Sequence, residues 1–143
     1  VVEFNCRFGA PETQVVLPLL DGDLAEIMLA CATGNLDSVS FGWYDKAAVC
    51  VVMASGGYPE SYEKGKEITG LAAAEEDKDV VVFHAGTKAE GEKILTNGGR
   101  VLGVTAVDSN IKAARDRAYA AVEKIHFEKN FFRKDIAWRA LKR

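Results

Sequence analysis

Residues 94–108 read ILTNGGRVLGVTAVD. Apolar residues stand on both sides of Asn97-Gly98, and Asn-Gly favours the type I′ turn, whose twist matches that of paired antiparallel strands. The stretch is expected to be a hairpin through Asn97-Gly98. It commits the surrounding chain to a mostly antiparallel sheet.

The flanks support that frame. AAVCVVMAS (47–55) is a β-rich buried run, GGYPESYEKG (56–65) is turn chemistry, and VVVFHAG (80–86) is a second buried strand. AAAEEDKD (72–79) reads as a solvated loop. Downstream, Ser109 can cap a helix in which Ile111, Ala114, Ala118, Val122 and Ile125 keep helical spacing. The tail FFRKDIAWRALKR (131–143) suggests a short strand and a last helical turn.

Upstream the character differs. Over residues 1–8, Val2, Phe4, Cys6 and Phe8 alternate with Glu3, Asn5 and Arg7, the period-2 pattern of a strand with one face in a core. Gly9 and Pro11 stop that strand, and Pro11 can open a helix. Asp23, with Glu26 three residues on, announces a second helix carrying Leu24, Ile27, Met28 and Cys31, which Gly34 ends. Pro18 and Gly22 forbid one continuous helix between them. The fold class expected is α+β, with helix and strand remnants over residues 1–38 and a mostly antiparallel sheet with one long helix over residues 39–143.

The composition narrows the function classes. Of 143 residues, 48% are hydrophobic and 27% charged, the balance of a domain with a real core. A net charge of −3 with interspersed signs offers no basic face to nucleic acid and no polybasic run to a lipid surface. No apolar run approaches the roughly 20 residues of a membrane helix, so neither a nucleic-acid nor a membrane partner is expected. Cys6, Cys31 and Cys50 stand far apart without a CxxC, which disfavours a disulfide framework or a zinc site and fits a reducing, cytoplasmic setting. The chain starts on VVEFN, an apolar strand already under way, so it is expected to continue upstream.

Several polar residues can carry chemistry. Alternate side chains on a strand stand about 6.6–6.8 Å apart, so Glu3, Asn5 and Arg7 can address one site. That face is either a solvated edge or a shelf on which Glu3 and Asn5 give hard oxygen ligands to Mg²⁺ and Arg7 offers a planar fork to a carboxylate or phosphate. Arg100, between glycine and a buried strand, is either an exposed hairpin charge or a phosphate contact. Gly56-Gly57 and Gly98-Gly99 do not precede helices and read as turns. His84 and His126 lack partners at ligand spacing and read as core or rim residues. The cysteines sit at apolar positions as small hydrophobes, and Trp43 and Trp138 are expected to anchor packing.

EFNCRFGAPETQVVLPLL, VVMASGGYPESYEKGKEITGL, VFHAGT, TNGGRVLGVTA, KIHF and FRKDIAWRA, in that order and spacing, resemble the C-terminal third of the glycinamide ribonucleotide synthetase (phosphoribosylamine–glycine ligase) family, part of the ATP-grasp superfamily. The resemblance covers essentially the whole chain. It implies that residues 1–38 end an ATP-grasp domain and that residues 39–143 form a small C-terminal domain, a rudimentary hybrid motif. It also implies a purine-biosynthetic ligase in which ATP phosphorylates glycine and 5-phosphoribosylamine attacks the glycyl phosphate. Glu3 and Asn5 match the family's metal pair for Mg²⁺ or Mn²⁺, and Arg7 matches an arginine that meets the acyl substrate. Arg100 lies in a segment similar to one that contacts a ribonucleotide phosphate. The upstream part of the same enzyme would supply the nucleotide-binding strands, so the chain alone would be inactive. The family pattern has Asp where this chain has Ala10, and Gly where it has Glu60 and Ala137. A non-catalytic interaction module and another ATP-grasp ligase are the competing readings.

Overall fold

A computed structural model describes residue 4 and residues 7–142 of the chain. The strand β8 (Arg100–Asp108) is its centre: Val101 to Ala106 are all buried, because the strand is paired on both edges and covered on both faces. It pairs antiparallel with β3 (Ala47–Ala54), Val51 opposite Val104, and with β5 (Val80–His84), Val82 opposite Val104. After a one-turn helix, α3 (Leu71–Ala74), which replaces the start of the loop expected over 72–79, the longer helix α4 (Ile111–Val122) lies on one face of the sheet, and its small Ala118 and Ala121 let it approach Val51, Met53, Val82 and Val104 closely. On the other face sits a short helix, α1 (Thr13–Val16). A second antiparallel sheet is made of β4 (Glu67–Ile68), β7 (Lys93–Thr96) and β6 (Thr87–Glu90), with β7 in the middle. Every pairing among the described residues is antiparallel, in agreement with the α+β expectation.

The hairpin expected through Asn97-Gly98 does not form. Strands β7 and β8 lie in different sheets, and Asn97 to Gly99 carry the chain across between them. These glycines serve close packing: a Cβ on Gly98 would lie 2.8 Å from the Cα of Gly86. The hairpin turn is made instead between β6 and β7 at Gly91, whose φ is 61°. Other local expectations shift by a residue or two. Asn110, not Ser109, caps α4, its side chain accepting from the Ala113 N–H. Pro11 stands in a turn ahead of α1 rather than opening it, and Pro18 sits in a 3₁₀ turn, Leu17–Leu19.

Helix α2 (Leu24–Thr33) starts and stops as expected: Asp23 accepts from the N–H groups of Ala25 and Glu26, and Gly34 closes it at φ 71°. Of its ten residues only Ala30 is buried, while Met28 and Leu29 are more than half exposed. It belongs to a small cluster in which β1 (Leu20–Asp21) pairs with β2 (Gly42–Trp43). Trp43 and Trp138 are exposed rather than packed, with Arg139 and Lys142 flanking the Trp138 ring. Cys50 is buried, but Cys31 is exposed because it falls on the uncovered side of α2. The strand expected over residues 1–8 is not seen at Phe4, Arg7 or Phe8, and the remainder of that span lies outside the described residues.

An ionic clamp closes the end of the sheet remote from the glycines. Arg117 of α4 donates to Asp108 from Nε (3.0 Å) and Nη2 (2.8 Å) and to Asp77 from Nη1 (2.6 Å). It thereby ties the helix to the end of β8 and to the turn before β5.

Candidate functional site

At the opposite end, two turns and one helix meet. The buried Ser55 draws in the glycine crossover, its N–H reaching the Gly99 carbonyl at 2.8 Å and its hydroxyl the Gly98 carbonyl at 2.9 Å. From the other side Gly86 donates to the Arg100 carbonyl at 2.9 Å and accepts from the Asn97 N–H at 2.7 Å. The Tyr58 ring lies directly on Gly99: a Cβ there would come within 2.1 Å of the ring. Arg100 is held at the mouth of this arrangement, exposed and aimed back toward the N-terminal segment.

That aim joins the two halves of the chain. The Arg100 Nη1 donates to the Ala10 carbonyl at 3.1 Å, across ninety positions of sequence. Ala10, Pro11 and Gln14 form one wall of a cleft of about 380 Å³, and Tyr58, Gly86 and Arg100 line the other side. Gly103 makes the floor, where a Cβ would press on the Cys50 Sγ at 3.3 Å and the Gln14 Cγ at 3.7 Å. The Gln14 Oε1 is buried with no hydrogen-bond partner among the described residues. Burial pushes the Cys50 thiol up, which makes it a poor nucleophile beneath α1.

Arg100 is the only charged residue among the described residues lining the cleft. With five donors and one of its N–H groups engaged by Ala10, it retains a fork for an anion. Arg7 is exposed and turns Nη1 onto the neighbouring Phe8 carbonyl at 2.8 Å, so its own fork is partly engaged locally. Glu3 and Asn5, the expected metal ligands, lie outside the described residues. Among the described residues no cluster of three His, Cys, Asp or Glu could hold an ion. His84 and His126 are both exposed rim residues, His84 Nδ1 lying 3.0 Å from the Thr87 hydroxyl. No helix of the described residues is long and apolar enough to cross a membrane.

Gln14, Tyr58 and Gly86 were not singled out by the sequence. Each lies inside a segment that carries the family resemblance, ETQ, GGYP and HAGT, and position in those segments was the available signal. Ala137 confirms one departure from the family pattern as a backbone matter: it holds φ 62°, the left-handed region that a glycine occupies without cost. Glu60 has no positive φ.

Comparisons with known proteins agree on one relationship. Residues 48–139 match a family model described as phosphoribosylglycinamide synthetase, C domain. A phosphoribosylamine–glycine ligase of Synechocystis is 54% identical over 142 residues, which are 99% of this chain and 34% of the relative. A bifunctional purine biosynthetic protein of Dictyostelium discoideum is 51% identical over 142 residues, 17% of its length. The crystal structure of phosphoribosylamine–glycine ligase from Thermotoga maritima superposes with a TM-score of 0.70 at 34% identity, covering 94% of this chain and 32% of the other. The chain spans about a third or less of the length of these relatives.

Proposed function

Because the chain belongs to the phosphoribosylglycinamide synthetase family, matching its C-domain model over residues 48–139, we propose that it is the C-terminal part of an ATP-dependent ligase that joins glycine to 5-phosphoribosylamine. The observation that carries this reading is the cleft in which Arg100 and the Ala10–Gln14 segment converge. Two families of motif, far apart in sequence, meet there on one small anion-selective space. Residues 1–38 are taken as the end of an ATP-grasp domain and residues 39–143 as the C-terminal domain, which places the cleft where the two units touch, a common setting for ligand sites.

In the reaction, a glycine carboxylate oxygen takes the terminal phosphoryl group of ATP and ADP leaves. The amine nitrogen of phosphoribosylamine then attacks the acyl carbon, the bond to phosphate breaks, and the nitrogen sheds a proton as the amide forms. Arg100 holds the phosphate of the phosphoribosylamine, fixing its amine relative to the acyl carbon. Arg7 withdraws negative charge from the acyl phosphate oxygens, for which its fork must leave the Phe8 carbonyl. Glu3 and Asn5 present a carboxylate and an amide oxygen, the hard donors that Mg²⁺ or Mn²⁺ accepts. A divalent ion held there would neutralise charge on the nucleotide phosphates. The ATP pocket belongs to the upstream part of the enzyme, for which Met28 and Leu29 of α2 offer an apolar seat. A cytoplasmic setting completes the proposal, supported by the isolated cysteines.

The test is product formation from glycine, ATP and phosphoribosylamine by the full-length protein, beside Ala10→Asp. Activity in the parent supports the reading. A dead parent revived by Ala10→Asp makes this chain a member that has lost catalysis, and inactivity in both removes the ligase assignment.

A further inference from the structure

Among the described residues, the sheet β3-β8-β5 is tied along one outer edge and open along the other. On the β3 side, Ala54 exchanges both of its backbone hydrogen bonds with Phe131, at 2.9 and 3.0 Å. Strand β5 pairs only with β8. The Asp79 carbonyl accepts from the Val107 N–H and the Ala85 N–H donates to the Val101 carbonyl. By the alternation of an antiparallel ladder, Val81 and Phe83 therefore turn their backbone groups to β8, and Val80, Val82 and His84 turn theirs outward.

An edge of this composition invites another strand, since VVVF (80–83) holds no charge, glycine or proline. It is also complementary to itself. About a twofold axis at Val82, two antiparallel copies of β5 would each give the Val82 N–H to the other's Val82 carbonyl. Val81, 39% exposed, would then stand opposite Phe83 of the second copy, a β-branched and aromatic pair of the kind that stabilises sheets.

The chain occupies both outward N–H groups at that axis by itself. Val80 donates to the Asp77 carbonyl at 2.9 Å, and Val82 donates to the Glu75 Oε1 at 3.3 Å. Helix α3 delivers this carboxylate, because Glu75 is its C-cap and donates its own N–H to the Leu71 carbonyl at 3.1 Å. A carboxylate only accepts, so it takes up the Val82 donor and offers nothing that would extend the ladder outward. Two copies meeting at Val82 would also bring two like charges together.

We propose that Glu75 guards the β5 edge: its carboxylate holds the Val82 N–H and keeps β5 from pairing antiparallel with β5 of a second copy of this chain. The role is separate from the ligase assignment, because Glu75 is not among the residues that line the cleft.

Sedimentation of the full-length protein across a concentration series tests this. Glu75→Ala removes the competing acceptor from each of two copies, at about tenfold apiece, so its self-dissociation constant should fall about a hundredfold relative to the parent. Glu75→Gln, which keeps the reach and an acceptor oxygen but loses the charge, should fall between the two. Val81→Lys added to Glu75→Ala places a cation on the edge strand and should return the parent's behaviour. Hydrogen exchange over residues 80–84 locates the contact: in Glu75→Ala it should be faster than in the parent at low concentration and slow down as concentration rises. The proposal is overturned if Glu75→Ala sediments like the parent, if Val81→Lys leaves its association in place, or if exchange over residues 80–84 does not depend on concentration while the variant associates.

Discussion

Replacing Gly86 by alanine should do far more damage than replacing Gly91, although Gly91 is the one with the left-handed backbone. At Gly86 an added Cβ would lie 2.6 Å from the Arg100 carbonyl oxygen and 2.6 Å from the Gly98 Cα, both backbone atoms with no rotamer to escape into. Ordinary contact needs about 3.4–4 Å, so the two turns must part by most of an ångström. Overpacking of this kind costs about 1–3 kcal/mol. Loss of one of the hydrogen bonds that join the turns, Gly86 N–H to Arg100 or Asn97 N–H to Gly86, adds about 1 kcal/mol. Gly91 at φ 61° has nothing within 4 Å of a Cβ, so Gly91→Ala meets only the conformational cost of about 1 kcal/mol. At roughly 3 °C per kcal/mol for a chain of this length, Gly86→Ala should lower the melting temperature by about 6–12 °C and Gly91→Ala by about 3 °C. Urea unfolding should give the same order with unchanged m-values. Gly86→Ala should also weaken inorganic phosphate binding, since it displaces the residue that carries the guanidinium, and Gly91→Ala should not. Equal destabilisation by the two substitutions, or a shift under about 2 °C for Gly86→Ala, would refute the view that close backbone contact builds this end of the molecule.

Two further outcomes follow from other parts of the fold. The backbone N–H of Asp79 and then Arg117 hold the Asp77 carboxyl below its ordinary value, and the Ser109 N–H and then Arg117 do the same for Asp108. Carboxyls depressed on folding stabilise the protein above their unfolded value, near 4, and lose that contribution as pH falls through the folded value. Arg117→Met should therefore be less stable than the parent by a constant margin between pH 6 and 8, and the margin should shrink below about pH 4. Thermal melts at pH 3 and pH 7 showing equal deficits would dismiss the clamp as a source of acid sensitivity. Ala137→Gly, by relieving a left-handed alanine at φ 62°, should raise stability by about 1 kcal/mol in urea titration; a decrease would mean that the alanine methyl contributes more than the backbone loses.

The two buried strands around residues 50 and 82 and the capped helix after residue 109 were legible because each is written locally. A run of β-branched residues, a polar cap and alanines at helical spacing bias the backbone whatever surrounds them. Asn97-Gly98 was equally local and misled, since the type I′ preference of the pair is worth less than the contacts available to three consecutive flexible residues against Gly86, Ser55 and Tyr58. The pair was expected to reverse the chain within one sheet, and it carries the chain from one sheet to the other instead.

The same division holds for the site. Sequence by itself determined the family, through six motifs in register, and the α+β class, through β-rich runs and helix capping. It also marked Arg100, between glycine and a buried strand, as either an exposed hairpin charge or a phosphate contact. Only the tertiary structure decided that Arg100 reaches the Ala10 carbonyl, that Gln14 lines the same cleft with a side-chain oxygen that has no partner among the described residues, and that Gly103 leaves the floor between them open. Those facts depend on pairing between strands and packing across a sheet. They come from contacts at long sequence separation, which local backbone preference does not encode.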